Sequence, residues 1–241
     1  MFPARSVTRI AAVMLCAMSV AACERQASVP TATANEAADA ATAAPAEVAR
    51  PQGPERVILA FGDSLYAGYG LGRGQSLPDA IQARLRQGGI NATVVNAGVS
   101  GDTTAAGRER LAFVLDQQKR VPDLVMLGLG GNDVLRQISP AETRANMTAM
   151  LDDLKRRRLP VLLTGMRAPP NLGPDYVAAF DAIWPDLAKR DGDQLYPFIL
   201  DGVIGNPALM QADRVHPNVQ GVNRIADRLA PLVEQALPPA R

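Results

Sequence analysis

From residue 57 onward, short apolar runs alternate with longer segments of helical periodicity, and this alternation constrains the fold more than any other feature of the sequence. Runs of a few apolar residues predict buried strands, here 57–61, 92–96, 124–129, 161–165 and 194–198. Helical patterns fall between them, at about 78–87, 104–119, 140–158, 174–190 and 218–236. Such alternation predicts an α/β fold with a five-stranded parallel sheet, right-handed crossovers and helices on both faces. The expected architecture is a three-layer α/β/α sandwich.

Local patterns support two of these helices. Segment 140–158 is preceded by Ser139 as N-cap, begins with Pro140 and has Glu142 at the third position, which predicts a capping box. Segment 174–190 carries an apolar stripe at helical spacing, which we interpret as core. The residues of this stripe are Tyr176, Phe180, Ile183 and Leu187.

The first 22 residues have the pattern of an export signal. Arg5 and Arg9 precede an apolar stretch at 10–20, which is too short to span a bilayer. The sequence Val-Ala-Ala-Cys at 20–23 resembles the bacterial lipobox, in which cleavage leaves the cysteine as a lipidated first residue. We therefore predict a lipoprotein signal peptide over 1–22 and lipidation of Cys23. The alternative is an ordinary signal peptide followed by an incidental cysteine.

Residues 23–54 are rich in Ala, Thr and Pro and show no apolar period, so we predict a disordered tether there and a folded domain over 55–241. A flexible coil of this length spans roughly 30 Å. The tether would hold the domain just off a membrane of the bacterial cell envelope. Glu24, rather than Asp, follows Cys23, and we expect sorting to the outer membrane, on its periplasmic side.

Composition argues against several classes of function. The formal charge is +1 and aromatic residues are 4%, so neither a basic surface nor stacking platforms for nucleic acid are expected. His216 is the only histidine, and of the two cysteines Cys16 would leave with the signal. No metal site, no cofactor, no intrachain disulfide and no obligate protein partner are therefore predicted.

Unusual residues follow the predicted strands at one edge of the sheet. Ser64 follows the first strand, segment 98–103 the second and segment 130–133 the third, while Asp213 and His216 precede the last helix. In open parallel sheets, sites form outside the carboxyl ends of the strands. These residues are therefore expected to share one site.

Ser64, His216 and Asp213 are the candidates for nucleophilic catalysis. A serine hydroxyl needs a base to take its proton, and imidazole is the side chain whose ordinary pKa suits this task near neutral pH. A carboxylate three residues before His216 can hold the imidazole in the required tautomer. Each residue alone is also compatible with a turn or a surface pair.

Acyl transfer also needs hydrogen-bond donors for the developing oxyanion. The backbone N–H of Ser64, the N–H of Gly101 and the side-chain amide of Asn132 are the candidates. Gly101 is alternatively a turn glycine, and Asn132 alternatively a helix cap. We expect Asp63 and Asp133 to be structural rather than catalytic.

Four ordered blocks carry a family resemblance: Gly-Asp-Ser-Leu at 62–65, Ser-Gly-Asp-Thr at 100–103, Gly-Gly-Asn-Asp at 130–133 and Asp-Arg-Val-His-Pro at 213–217. They resemble the SGNH (GDSL) hydrolases, closest to the bacterial lysophospholipase L1, thioesterase I and arylesterase branch. The resemblance implies a flavodoxin-like fold, with Ser64 as nucleophile, Gly101 and Asn132 as oxyanion donors, His216 as base and Asp213 as its orienting partner.

The same resemblance implies a serine esterase that acts on small-molecule or lipid acyl esters. Aryl esters, short to medium acyl esters, lysophospholipids and acyl thioesters are the candidate substrates. A carbohydrate O-deacetylase and a non-catalytic, ligand-binding envelope lipoprotein remain alternatives. We expect Tyr66 to narrow the acyl entrance, and position alone predicts an acyl cleft lined by Leu65, Leu135, Ile138, Met166, Leu209 and Met210.

Overall fold

A parallel sheet forms the middle layer of the computed structural model, which describes residues 48–240. Its strands are β1 (Arg56–Gly62), β2 (Ala92–Gly98), β3 (Leu124–Gly128), β4 (Val161–Thr164) and β5 (Gln194–Tyr196). The helices of the described residues are α1 (Ser64–Ala67), α2 (Leu77–Gln87), α3 (Thr104–Asp116), α4 (Gly131–Leu135), α5 (Pro140–Arg156), α6 (Pro174–Asp181), α7 (Ile183–Asp191) and α8 (Val219–Ala236). The predicted five-stranded parallel sheet is confirmed.

The strand order, β2-β1-β3-β4-β5, indicates where a ligand site is expected in this sheet. The chain runs from β1 outward to β2 and then returns to the other side of β1 to form β3. Ligands bind at such a reversal of strand order, outside the carboxyl ends of the strands. Helix α2 packs against α8, whereas α3 packs against α5, which also contacts α6 and α7. These two groups cover the two faces of the sheet, as right-handed crossovers require.

The core is built on the central strands because both of their faces are covered. Every residue of β3 and β4 is buried, and so is β1 from Val57 onward. The predicted apolar stripe is confirmed as core: Phe180, Ile183 and Leu187 are buried, and the half-buried Tyr176 packs against them.

The single helix predicted over 174–190 is instead two helices that meet at Ala182. Pro185 explains the break, since its ring would clash with the carbonyl of Asp181, four residues earlier, in a continuous helix. Strand β5 ends before Pro197, which has no N–H for the ladder. At α5, Ser139 accepts from the backbone N–H of Glu142, but no return bond from the Glu142 side chain is present in the described residues, so the complete capping box predicted there is wrong.

Tyr66 fills a slot beneath the functional edge. Its side chain is fully buried, and its hydroxyl is 2.9 Å from Thr164 Oγ1. Gly62 pairs with Gly98 on one side and with Gly128 on the other, and a Cβ atom at any of the three would meet Tyr66 within 2.8 Å. The expectation that Tyr66 narrows the acyl entrance is therefore wrong, because its ring lies in the core across the ends of three strands.

The predicted signal peptide, Cys23 and most of the predicted tether lie outside the described residues. Within residues 48–240, no helix has the length and apolar character needed to cross a bilayer.

We predict that Gly128→Ala destabilises the fold by about 1–3 kcal/mol, as is typical of overpacked cores. The added Cβ would lie 2.3 Å from Thr164 Oγ1 and 2.5 Å from the Tyr66 ring. The free energy of unfolding in urea measures the effect. Gly88→Ala is the matched control, since φ is −75° there and the nearest atoms are 3.4 Å away. Equal stability of both variants would contradict this account of the slot.

Candidate active site

Ser64 stands where β1 gives way to a short helix. The strand ends at Gly62, Asp63 is the N-cap of α1, and Ser64 is the first residue of that helix. The Asp63 carboxylate accepts a hydrogen bond from the backbone N–H of Leu65 at 3.0 Å. This cap fixes the turn, so the half-buried serine hydroxyl emerges at the carboxyl end of β1.

Ser64, His216 and Asp213 form one hydrogen-bonded series, although Ser64 and His216 are 152 positions apart in the sequence. His216 Nε2 lies 2.9 Å from Ser64 Oγ, and His216 Nδ1 lies 2.7 Å from Asp213 Oδ2. The second carboxylate oxygen of Asp213 accepts from the backbone N–H groups of Val215 and His216. The structure thus joins the three residues proposed from the sequence.

The backbone N–H of His216 is the main cause that lowers the pKa of Asp213 to about 2. Its carboxylate therefore stays charged near neutral pH. A charged carboxylate accepts the Nδ1 proton of the imidazole, which leaves Nε2 as the acceptor for the Ser64 hydroxyl.

A tight loop carries the acid and the base. Met210 and Pro217 form an antiparallel bridge, and the carbonyl of His216 accepts from the N–H of Gln211 at 2.8 Å. Arg214 lies between Asp213 and His216 with φ of +59°, a left-handed conformation that is uncommon for a residue other than glycine. The loop is therefore closed at its base and strained at its tip.

Gln211 connects this loop to the loop that follows Ser64. Its Nε2 donates to the carbonyl of Tyr69 at 2.7 Å and to the carbonyl of Pro217 at 2.9 Å. The Tyr69 ring then covers the imidazole, with its centroid 4.5 Å from that of His216 and the two planes at 36°. Sequence analysis missed both residues, since neither belongs to a chemical motif.

The three candidate oxyanion donors do not all lie in the same part of the structure. Ser64 and Asn132 lie in the wall of one cleft, whereas Gly101 is exposed and outside that wall. Gly101 has φ of +88° in a turn closed by the N–H of Asp102 and the carbonyl of Val99, so its place in a turn accounts for the glycine. Asn132 is not the cap of α4, which begins after Gly130. Its Nδ2 donates to the carbonyl of Asp102 at 2.9 Å.

Arg110 fixes the loop that holds Gly101. Its guanidinium contacts the Asp102 carboxylate at 2.6 Å and donates to the carbonyls of Ala97 and Gly62 at 2.9 Å each. The same group lies 3.9 Å from the centroid of the Phe61 ring. One side chain thus links the loop to the ends of β1 and β2.

Asp133 has the structural role expected from the sequence. It is fully buried and accepts from the backbone N–H of Thr104 at 2.8 Å and from the hydroxyl of Thr143 at 3.1 Å. It also accepts from the hydroxyl of Thr104. These bonds tie α4 to the beginnings of α3 and α5, next to Asn132.

Asp63 is buried beneath the site, and no Lys or Arg within residues 48–240 forms an ion pair with it. Burial raises the pKa of this carboxyl from 3.8 to about 6, against the lowering effects of the Leu65 N–H and of His216. The carboxyl therefore titrates close to neutral pH. Its hydrogen bond at the N-cap of α1 agrees with the structural role expected for it.

The catalytic candidates open on a cleft of about 550 Å³. Its wall is largely apolar and includes Leu65, Val134, Leu135, Met166, Ala168, Pro169, Pro170, Phe198, Leu200, Ile204 and Val215. Three of the six predicted lining residues, Leu65, Leu135 and Met166, are among them. Across the described residues, no cluster of three or more histidine, cysteine or acidic side chains is arranged to hold a metal ion.

The prediction that Ile138, Leu209 and Met210 line the cleft is wrong. Met210 is buried and pairs with Pro217, and Leu209 packs against the core. Ile138 is held beside α6, where its carbonyl accepts from the Tyr176 hydroxyl. Apart from Val134 of α4, the apolar lining residues that the sequence analysis missed lie in the segments after β4 and β5.

The site joins a hydroxyl, an imidazole and a carboxylate in series, where the strand order of an α/β/α sandwich reverses. This is the arrangement of serine hydrolases. The model of the GDSL-like Lipase/Acylhydrolase family matches residues 60–224, and the chain belongs to this family.

Individual relatives agree with this membership. Esterase TesA of Pseudomonas aeruginosa is 38% identical over 77% of this chain and 92% of that protein. Thioesterase 1/protease 1/lysophospholipase L1 of Escherichia coli K12 is 38% identical over 72% of this chain and 81% of that protein. The crystal structure of AlinE4, an SGNH-hydrolase family esterase, is 53% identical, with a TM-score of 0.66 over 78% of this chain and 99% of that one. The protein is a GDSL-type serine esterase.

We predict that Asp63→Asn changes the free energy of unfolding more favourably above pH 6 than at pH 4, each time relative to wild type. Because the folded pKa is raised, the contribution of Asp63 to stability is complete below its unfolded pKa and is lost as the pH rises through 6. The variant lacks this loss, so the difference in free energy of unfolding between variant and wild type should rise by about 2 kcal/mol from pH 4 to pH 8.

Urea unfolding of both proteins across this pH range measures the difference. The exposed Asp175→Asn controls for the removal of one carboxylate. A difference between Asp63→Asn and wild type that does not change with pH would contradict the assignment.

Proposed function

We propose that this esterase cleaves acyl esters through an acyl-enzyme on Ser64, with His216 as general base and then general acid. The hydrogen-bonded series from Ser64 through His216 to Asp213, at the wall of an apolar cleft, carries the proposal. Ser64 Oγ attacks the carbonyl carbon while Nε2 of His216 takes its proton. The imidazolium, stabilised by the Asp213 carboxylate, then gives this proton to the leaving alcohol. Water releases the acid in a second half-reaction through the same base.

We assign the oxyanion first to the N–H of Ser64 and the side-chain amide of Asn132, which lie in the cleft wall. The N–H of Gly101, in the neighbouring turn outside that wall, is the third donor proposed. A primary amide has two donor hydrogens. One hydrogen of Asn132 is directed to the carbonyl of Asp102, and this bond orients the other for the substrate. The brace from Arg110 supports the same loop, so the donors are held before the substrate arrives.

The substrates we propose are short to medium acyl esters, including aryl esters and lysophospholipids, together with acyl thioesters. The largely apolar cleft wall suits an acyl chain. The name of the Escherichia coli relative includes thioesterase and lysophospholipase L1 activities. A carbohydrate O-deacetylase would need polar groups along the whole cleft to bind its sugar. Apart from the groups around Ser64 and two exposed arginines, the wall is apolar and favours an acyl chain.

We also propose that the protein is a lipoprotein of the bacterial cell envelope, anchored through Cys23 to the outer membrane on its periplasmic side. The charged start, the apolar run and the small residues before Cys23 support this location. The Ala/Pro/Thr-rich segment 23–54 would act as the tether.

We predict that a fluorophosphonate probe labels the wild-type protein and that Ser64→Ala abolishes both labelling and ester hydrolysis. Asn132→Ala should lower kcat by about 100- to 1000-fold, the usual cost of one oxyanion donor. p-Nitrophenyl esters of graded chain length measure the rates, and acetylated oligosaccharides test the deacetylase alternative.

Ser139→Ala is the matched control, since this serine caps α5 outside the cleft and its loss should leave labelling intact. A folded wild-type protein that is neither labelled nor active on any activated ester would support the non-catalytic alternative and end the proposal.

We predict that Cys23→Ser moves the protein from the membrane fraction to the soluble fraction of bacterial cells, because serine cannot be lipidated through a thioether. Fractionation followed by blotting measures the distribution, with Cys16→Ser as the control. Membrane association that is unchanged in Cys23→Ser would contradict lipid anchoring while leaving the esterase assignment intact.

A further inference from the structure

Two arginines line the cleft that contains Ser64 and His216. Arg167 follows β4, and Arg214 lies in the loop between the acid and the base. Both are exposed, whereas Asp63, the only carboxyl group that the described residues contribute to the cleft wall, is buried. The wall therefore presents two guanidinium groups to solvent, while the neighbouring Asp213 carboxylate is engaged with the imidazole and with two backbone N–H groups.

Neither guanidinium is engaged with a carboxylate of the described residues. Arg167 lies over the Phe198 ring at 5.6 Å from its centroid, and the backbone N–H of Arg214 donates to the carbonyl of Gln211. By contrast, Arg136, just outside the cleft wall, donates to the carbonyl of Gly101. An unpaired guanidinium presents a rigid set of donors that matches the oxygens of phosphate or carboxylate.

The backbone at Arg214 strengthens this interpretation. Its φ of +59° is an uncommon and strained conformation for an arginine. Glycine or asparagine would fit the same turn with less strain. The backbone N–H groups of Val215 and His216 hold this turn by donating to Asp213. The turn places Arg214 in the cleft wall.

The position of Arg214 also indicates which end of the substrate it would contact. His216 Nε2 must reach the oxygen of the leaving alcohol to protonate it, so the alcohol lies on the imidazole side of the cleft. Arg214 is two residues from His216 in the same loop. An anion on the alcohol would therefore lie within the field of this arginine.

We propose that Arg167 and Arg214 bind a phosphate group carried by the alcohol of the substrate. The enzyme then prefers acyl esters of phosphorylated alcohols to neutral esters with the same acyl chain. This inference rests on the proposed function, because it needs the acyl transfer to Ser64, and it adds a site for the leaving group to that reaction.

The test compares butanoyl glycerol 3-phosphate with the neutral monobutanoyl glycerol. The ratio of their kcat/KM values should be about 3 to 30 in the wild type, as expected for two exposed charge pairs. It should fall close to 1 in the Arg167→Gln, Arg214→Asn double variant. Asparagine tolerates the left-handed turn. The rate of each variant on the neutral ester is its own reference, so any general loss cancels in the ratio.

Two controls sharpen the result. Arg224→Gln removes the same charge from an exposed site on α8, outside the cleft, and should keep the wild-type ratio. Raising the salt concentration from 0.1 to 1 M should also reduce the wild-type ratio, since the screening length falls from about 10 to about 3 Å. A wild-type ratio near 1, or a ratio that survives in the double variant, would overturn the proposal.

A binding measurement separates this proposal from the proposed function. If the wild type hydrolyses neither ester, the acyl-transfer proposal fails on its own. Calorimetric titration with glycerol 3-phosphate still tests the arginines, which should bind it in the wild type but not in the double variant. Binding that is equal in both proteins, or absent from both, would refute the phosphate site.

Discussion

The in-register pairing of β1 with β2 and β3 is the constraint on which the active site depends. Gly62 stands level with Gly98 and Gly128, so three strands end on one line and three loops begin together. Tyr66, in the short helix that begins at Ser64, fills the space that the three glycines leave. Without a common end to these strands, the hydroxyl and the amide donors would not meet.

Much of this arrangement could be predicted from the sequence. Buried parallel strands need continuous apolar runs, and their carboxyl ends must share an edge, so the positions of Ser64 and Asn132 after β1 and β3 already placed them close together. The three-residue offset of Asp213 from His216 matches a single turn, and the structure has that turn. Such features follow from local pattern and from the topology of parallel sheets.

Other features could not be predicted, because they depend on contacts between distant parts of the chain. Gln211 and Tyr69 are 142 positions apart, and neither follows a period or belongs to a motif. The prediction that Tyr66 narrows the acyl entrance rested on its bulk directly after Leu65, but its side chain is fully buried in the core. The break between α6 and α7 is a different case, since Pro185 was visible in the sequence and its effect on a helix is general.

The hydrogen bond between Ser64 and His216 also determines when catalytic activity can appear during folding, because it joins an early part of the domain to a late one. A growing polypeptide that has already formed β1 and β3 still lacks its base, because the imidazole comes after all five strands. The nucleophile is then an ordinary alcohol, unable to react with the esters around it. Hydrolytic activity therefore appears only when the segment that carries His216 has folded against the end of β1.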